Sequence, residues 1–150
     1  MKFPYRAYDV QPSAARPSVT AVYRPVIPVR VIGVSNDAVF FGLVDTGADE
    51  TVLPAFLATQ LGVDVDRHET TPFRGIGGQV VHVSHGTVTL EVGKGRGAIR
   101  WEARCGFLDG PAVAILGQQG FLERFTATFS SEHKELTLKP TVKGTRKLAG

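Results

Sequence analysis

Short apolar and β-branched segments, separated by glycine and proline turns, follow one another along most of this chain. The segments Val19 to Tyr23 and Val26 to Val34 predict strands, with Pro25 and Pro28 marking an edge or a bulge. Ser35-Asn36-Asp37 is a turn signal, and Ala38 to Val44 is the next strand. Pro54 to Leu61 has helical spacing and is closed by Gly62. Val63 to Thr71 then leads to a glycine-rich hairpin tip over Arg74 to Gly78 and a long alternating run from Gln79 to Val92. In that run Val81, Val83, Thr87, Thr89 and Glu91 share one parity, and His82, Ser84, Val88, Leu90 and Val92 the other. Gly93 to Gly97 is a turn, Ile99 to Leu108 a strand, and Asp109-Gly110-Pro111 a sharp turn. Ala112 to Leu116 reads as a short buried strand, Gln118 to Arg124 as a second helix, and Phe125 to Ser130 with Glu135 to Lys139 as a final hairpin. The pattern predicts a mostly-β, barrel-like domain with two short helices.

The ends differ from the body. Residues 1–18 are rich in Pro, Ala, Ser and Arg and predict an extended N-terminal arm with no packed element. Residues 19–140 form the predicted domain, and 141–150 a basic tail. Residues 1–30 hold five bases (Lys2, Arg6, Arg16, Arg24, Arg30) against Asp9, and residues 139–150 hold Lys139, Lys143, Arg146 and Lys147 with no acid. Removing these nine bases and one acid from the totals of 17 and 14 leaves eight bases and thirteen acids between them. The body is therefore acidic and the ends basic. Aromatic residues do not interleave the tail charges, so the tail reads as a solvated terminus and a nucleic-acid partner has little support.

At 150 residues the chain has a single-domain length, sufficient to bury a core. No apolar run has the length of a membrane span, and the first residues lack the apolar region of a secretory signal, so a cytoplasmic protein with no membrane partner is the default expectation. The lone Cys105 excludes an intrachain disulfide and reads as a buried thiol. His82 and His85 are spaced to fall on opposite faces of a strand, wrong for shared metal ligation, so neither metal nor cofactor is expected. Trp101 reads as core or interface packing.

The chemistry is concentrated at Asp45-Thr46-Gly47-Ala48, which follows the apolar segment Val39-Phe40-Phe41-Gly42-Leu43-Val44. A carboxylate ending a buried strand is a poor structural acid, because burial favours its neutral form. It suits a dyad in which two acids share one proton and activate a water, one as base and one as acid. The chain holds one Asp-Thr-Gly, so the second acid would come from a second copy. Alone the tripeptide is weak evidence, equally readable as an Asx turn after a strand. The glycine-rich Phe73 to Val80 stretch and the run Ala114-Ile115-Leu116-Gly117 into Phe121-Leu122 strengthen it, in that order along the chain.

Taken together, these residues resemble the retropepsins, the retroviral-type aspartic proteases, and their bacterial single-domain relatives. Asp45-Thr46-Gly47-Ala48-Asp49-Glu50-Thr51-Val52-Leu53 is close to the family wording, Gly75-Ile76-Gly77-Gly78 is similar to its flap tip, and Ile115-Leu116-Gly117 to its second signature. The resemblance spans about residues 26–140. It implies a closed, Greek-key-like acid protease fold, a homodimer, a peptide or protein substrate held in a cleft between subunits, and chain termini paired in a shared sheet at the dimer base. Asp45 would be catalytic, with Thr46 and Gly47 shaping the paired turns. Ala48, Asp49 and Glu50 would bind substrate, with Gly75, Ile76, Gly77 and Gly78 as the flap.

One departure stands out. The retroviral pattern follows the apolar-Gly signature with an Arg that pairs with the acid at the position of Asp49, whereas Gln118 and Gln119 stand here. Glutamine supplies no cation, so Asp49 must find another Arg, such as one from the N-terminal segment, or the dimer is weaker. The activity implied is an aspartic endopeptidase. The alternative is a catalytically weak or inactive retropepsin-fold dimer that binds peptides or proteins without turnover.

Overall fold

The computed structural model describes residues 1–75, 77–110 and 114–141, with Glu69 described in its backbone only. Ile76 at the hairpin tip, the start of the expected Ala112 to Leu116 strand, and the tail bases Lys143, Arg146 and Lys147 lie outside them.

The strands in chain order are β1 (Lys2–Pro4), β2 (Arg6–Asp9), β3 (Ala21–Arg24), β4 (Val26–Ile32), β5 (Asp37–Val44), β6 (Val52–Pro54), β7 (Val65–Arg74), β8 (Val80–Val92), β9 (Ile99–Leu108), β10 (Ala114–Leu116), β11 (Phe125–Ser130) and β12 (Glu135–Pro140), with helix α1 (Ala55–Leu61) between β6 and β7. They form a seven-stranded sheet ordered β4-β5-β10-β6-β9-β8-β7, a three-stranded sheet β1-β12-β11 and a two-stranded hairpin β2-β3. β4 also pairs with β8 through Arg30, Val31 and Ile32, so the large sheet curls back over its core. That pairing is three residues long, so the chain is mostly β without being a regularly closed barrel.

Burial follows the side-chain period of each element. In β4, Ile27, Val29 and Val31 point inward at 2% exposure or less. Helix α1 buries Leu57, Ala58 and Leu61 and ends at Gly62, whose φ of 68° lets its N–H reach back to the Ala58 and Thr59 carbonyls. In β8 the buried set changes parity along the strand. Val83 is buried near the hairpin tip, whereas Gly86, Val88, Leu90 and Val92 are buried nearer the body. The change falls opposite an irregularity in β7, where pairing jumps from Asp66–His85 to Thr70–Ser84.

Two expectations differ from the structure. The second helix is a 3₁₀ turn, Leu122–Arg124. Gly120, at a φ of 84°, takes the chain out of the right-handed helical region and precludes a continuous α-helix from Gln118. The N-terminal segment is also packed. β1 pairs with β12, Lys2 opposite Thr137 and Pro4 opposite Glu135. The Met1 amino group donates to the Leu138 carbonyl at 2.7 Å, and the Leu138 N–H donates back to Met1 at 2.8 Å. Long-range strand pairing of this kind has no local sequence signal.

Trp101 belongs to the core. It is 2% exposed, its indole N–H donates to the Gly120 carbonyl at 2.7 Å, and its ring packs against Phe121 and Phe125. No described helix is long and apolar enough to cross a membrane.

Candidate active site

Asp45 stands where β5 ends, half-buried, on a turn whose Thr46 and Gly47 are exposed. Its backbone N–H donates to the Leu116 carbonyl at 3.1 Å, which makes it the last residue fastened to β10. Its Oδ1 accepts the Gly47 N–H at 2.9 Å. That short loop holds one carboxylate oxygen, and among the described residues no hydrogen bond to Oδ2 is found. The Ala48 N–H closes the turn onto the Asp45 carbonyl at 3.3 Å.

β10 is what makes the turn rigid. It lies between the two strands that flank the turn, parallel to β5 through Ala114–Gly42, Ile115–Leu43 and Leu116–Val44, and antiparallel to β6 through Ile115–Val52. Beyond β10 the Gln118 and Gln119 N–H groups donate to the Ala48 and Asp49 carbonyls, each at 2.9 Å. The fully buried Thr51 bridges the two segments: its hydroxyl donates to the Gln119 carbonyl at 2.9 Å and accepts the Gly117 N–H at 3.3 Å. The approach is so close that a Cβ on Gly117 would fall on the Glu50 carbonyl oxygen and 2.8 Å from that of Ala48.

Asp49 and Glu50 behave differently. Asp49 is exposed, and no cation among the described residues forms an ion pair with it. The Glu50 carboxylate is largely buried and meets the His85 Nε2 at 2.9 and 3.1 Å. Both residues line a cavity of about 400 Å³ with Thr71, Pro72, Phe73, Arg74 and Gln119, so the outgoing arm of the β7-β8 hairpin faces this loop. At the hairpin tip a Cβ added to Gly75, Gly77 or Gly78 would meet no described atom within 4 Å, and Gly77 and Gly78 have φ values of 106° and 79°. The Gly75 N–H donates to the Gln79 carbonyl at 3.3 Å and closes the tip.

The expected site residues therefore occur on two elements, the loop from Asp45 to Glu50 and the β7-β8 hairpin; of them, Asp49 and Glu50 line the cavity, which reaches the hairpin through Thr71 to Arg74 and is lined neither by Asp45 nor by the tip glycines. Sequence reasoning missed the Glu50–His85 pair, because no spacing rule links β8 to a loop thirty-five residues earlier. It also missed the buried Thr51 bridge. His82 lies apart from His85, with its Nδ1 3.3 Å from the Thr70 hydroxyl. Among the described residues no cluster of His, Cys, Asp or Glu could hold a metal. Cys105 is fully buried, and burial first, then the Glu50 carboxylate, pushes its thiol up to about 12.

The chain is β-rich, carries Asp45 on a glycine turn braced by β10, and sets the outgoing arm of the β7-β8 hairpin against the same loop. The model of the aspartyl protease family matches residues 27–119, and the chain belongs to that family. Solved structures similar to it include EIAV protease complexed with the inhibitor HBY-793, at 34% identity over 63% of this chain and 81% of that one, with a TM-score of 0.47. No curated protein matches the chain.

Proposed function

We propose that this protein is an aspartic endopeptidase whose active centre forms when two copies bring their Asp45 side chains together. The observation that carries the reading is the Gly47 N–H on Asp45 Oδ1, which holds one oxygen of the carboxylate in place, in a chain with a single Asp-Thr-Gly. Of two adjoining carboxyl groups one stays protonated, since like charges at close range cannot both ionise. The ionised Asp45 takes a proton from water as the oxygen attacks the peptide carbonyl carbon, while the protonated Asp45 gives its proton to the carbonyl oxygen. Collapse of the resulting diol breaks the C–N bond, with a proton passing to the leaving nitrogen, and yields an acid and an amine.

In this reading Thr46 and Gly47 shape the paired turns. Ala48, Asp49 and Glu50 line the floor of the substrate cleft, and Gly75 to Gly78, Ile76 included, close over a peptide held as an added strand. Residues 19–140 would be the catalytic unit. Digestion of a peptide library between acidic and neutral pH tests it. Wild-type protein should cleave internal bonds and Asp45→Asn should lose cleavage entirely. Turnover that survives Asp45→Asn would sink the proposal.

A further inference from the structure

Val39, Phe41 and Leu43 share the outer face of β5, and Val39 is 62% and Phe41 46% exposed. Contiguous exposed apolar surface marks an interaction site, where single exposed side chains do not. Two cavities open along this row. The first, about 450 Å³, has Val39, Phe41 and Leu43 on one side and Tyr8 and Arg24 of the β2-β3 hairpin on the other. The second, about 630 Å³, lies between Phe3 of β1 and Pro28 of β4. Val26 and Phe41 line both, so Phe41 divides two halves of one groove.

The charges on this groove have one sign. Arg24 lines the first cavity and Lys2, Arg6 and Lys94 the second, with no acid on either among the described residues. Asp9 shares the hairpin but lines neither. Lys2 is paired with Glu135 at 2.9 Å. Among the described residues no carboxylate lies within ion-pair distance of Arg6, Arg24 or Lys94. Two of these cations rest on rings, Arg6 4.0 Å from the centre of Phe41 and Arg24 5.2 Å from that of Tyr8. A guanidinium held by its flat face keeps its N–H edges for an incoming carboxylate.

We propose that this groove binds an acidic peptide segment with apolar side chains, which fill the two cavities while its carboxylates meet Arg6, Arg24 and Lys94. A concave, divided surface accepts separate side chains, whereas a membrane is met by a convex apolar face. Phe41 precedes Asp45 by four residues on the same alternation, which puts it about 13 Å from the acid along an extended strand. The docked segment and the bond at Asp45 can therefore belong to one substrate. That consequence rests on the proteolytic reading above and adds a substrate class to it, and the binding itself does not depend on turnover. The hairpin and β1 walls precede residue 27, where the family match begins, so nothing in that match supplies them.

Fluorescence anisotropy of a labelled decapeptide alternating Glu with Phe and Leu tests the groove, on full-chain Asp45→Asn so that nothing is cut, with Trp101 emission checking the fold. Binding should saturate, weaken with added salt, and fall about tenfold when Arg6→Glu and Lys94→Glu are combined. Phe41→Ser should weaken it too, and peptides with Lys in place of Glu, or Ser in place of Phe and Leu, should bind poorly. Wild-type protein should cleave a substrate carrying the acidic stretch with a lower KM than one lacking it, and the charge reversal should erase the difference. Absence of binding, or binding that ignores both the charge reversal and Phe41→Ser in folded protein, would overturn the groove. So would attachment to phosphatidylglycerol vesicles without peptide binding, or self-association that Phe41→Ser abolishes and the peptide does not disturb. Peptide binding as expected, with no cleavage of any substrate by wild type, would overturn the endopeptidase and leave the groove standing.

Discussion

The side-chain amide of Gln118 donates to the Thr46 carbonyl at 2.9 Å, so the residue standing in place of an arginine ties down the tip of the Asp45 turn within its own chain. The amide makes a different bond from the ion pair an arginine would make with Asp49, and Asp49 is left exposed. Gln118→Ala should remove one hydrogen bond, worth about 1 kcal/mol of stability. Cleavage should fall more than that loss of folded protein explains, because the turn carrying the acid loosens. Chemical denaturation and kcat measured on the same samples separate the two effects. Unchanged kcat in a destabilised variant would show that the bond serves the fold alone.

Gly117→Ala should be far more damaging. The added methyl meets the Glu50 and Ala48 carbonyls, which are backbone and cannot swing aside. Forcing such an overlap costs about 1–3 kcal/mol or more. The urea midpoint should drop accordingly, and a variant as stable as wild type would contradict the close approach.

The acid limit of stability has a named source. Asp37 is held below the ordinary carboxylate range first by its hydrogen bond from Arg30 at 2.7 Å. Burial works to raise Glu91, but the Arg100 and Arg30 guanidinium groups outweigh it, so it too is lowered. Carboxyls lowered in the folded state stabilise it above their unfolded values, about 3.9 for Asp and 4.3 for Glu. That contribution fades as pH falls through the lower folded values. Arg30→Gln should therefore reduce stability at neutral pH and leave little difference near pH 2. An effect of equal size at both pH values would remove the ion pairs as the cause.

Cys105 should be inert. With its thiol pushed up to about 12, chiefly by burial, almost no thiolate exists at neutral pH. A thiol reagent such as dithionitrobenzoate should label it only after unfolding, and rapid labelling of native protein would contradict its placement.

Trp101 is the single tryptophan and is buried. Trp101→Phe leaves the Gly120 carbonyl without its indole donor, a cost of about 1–3 kcal/mol for a buried group. Calorimetry should show the lowered melting temperature, and no change would mean that another donor takes over.

Local signals along the chain were sufficient for much of this architecture. Helix α1 ends at Gly62 because a left-handed residue is needed there, and glycine at the end of a helical stretch announces it. The Asp45 turn was legible because strand, acid and glycine adjoin in sequence. The pairing of β1 with β12 joins residues at opposite ends of the chain, where no periodicity reaches. The second helix misled because Gln118 to Arg124 has helical composition, and Gly120 overrides it with a positive φ. Glu50 and His85 met unannounced for the same reason as β1 and β12: sheet formation, not spacing, brings them together.

The position of β10 between β5 and β6 also sets an order of events during synthesis. The loop bearing Asp45 leaves the ribosome well before Leu116 does, and until Leu116 emerges that loop lacks the strand that anchors it. Between those two moments the acid-bearing turn has β5 behind it but no strand beside it, so its final shape is acquired late, when β10 slides in between β5 and β6.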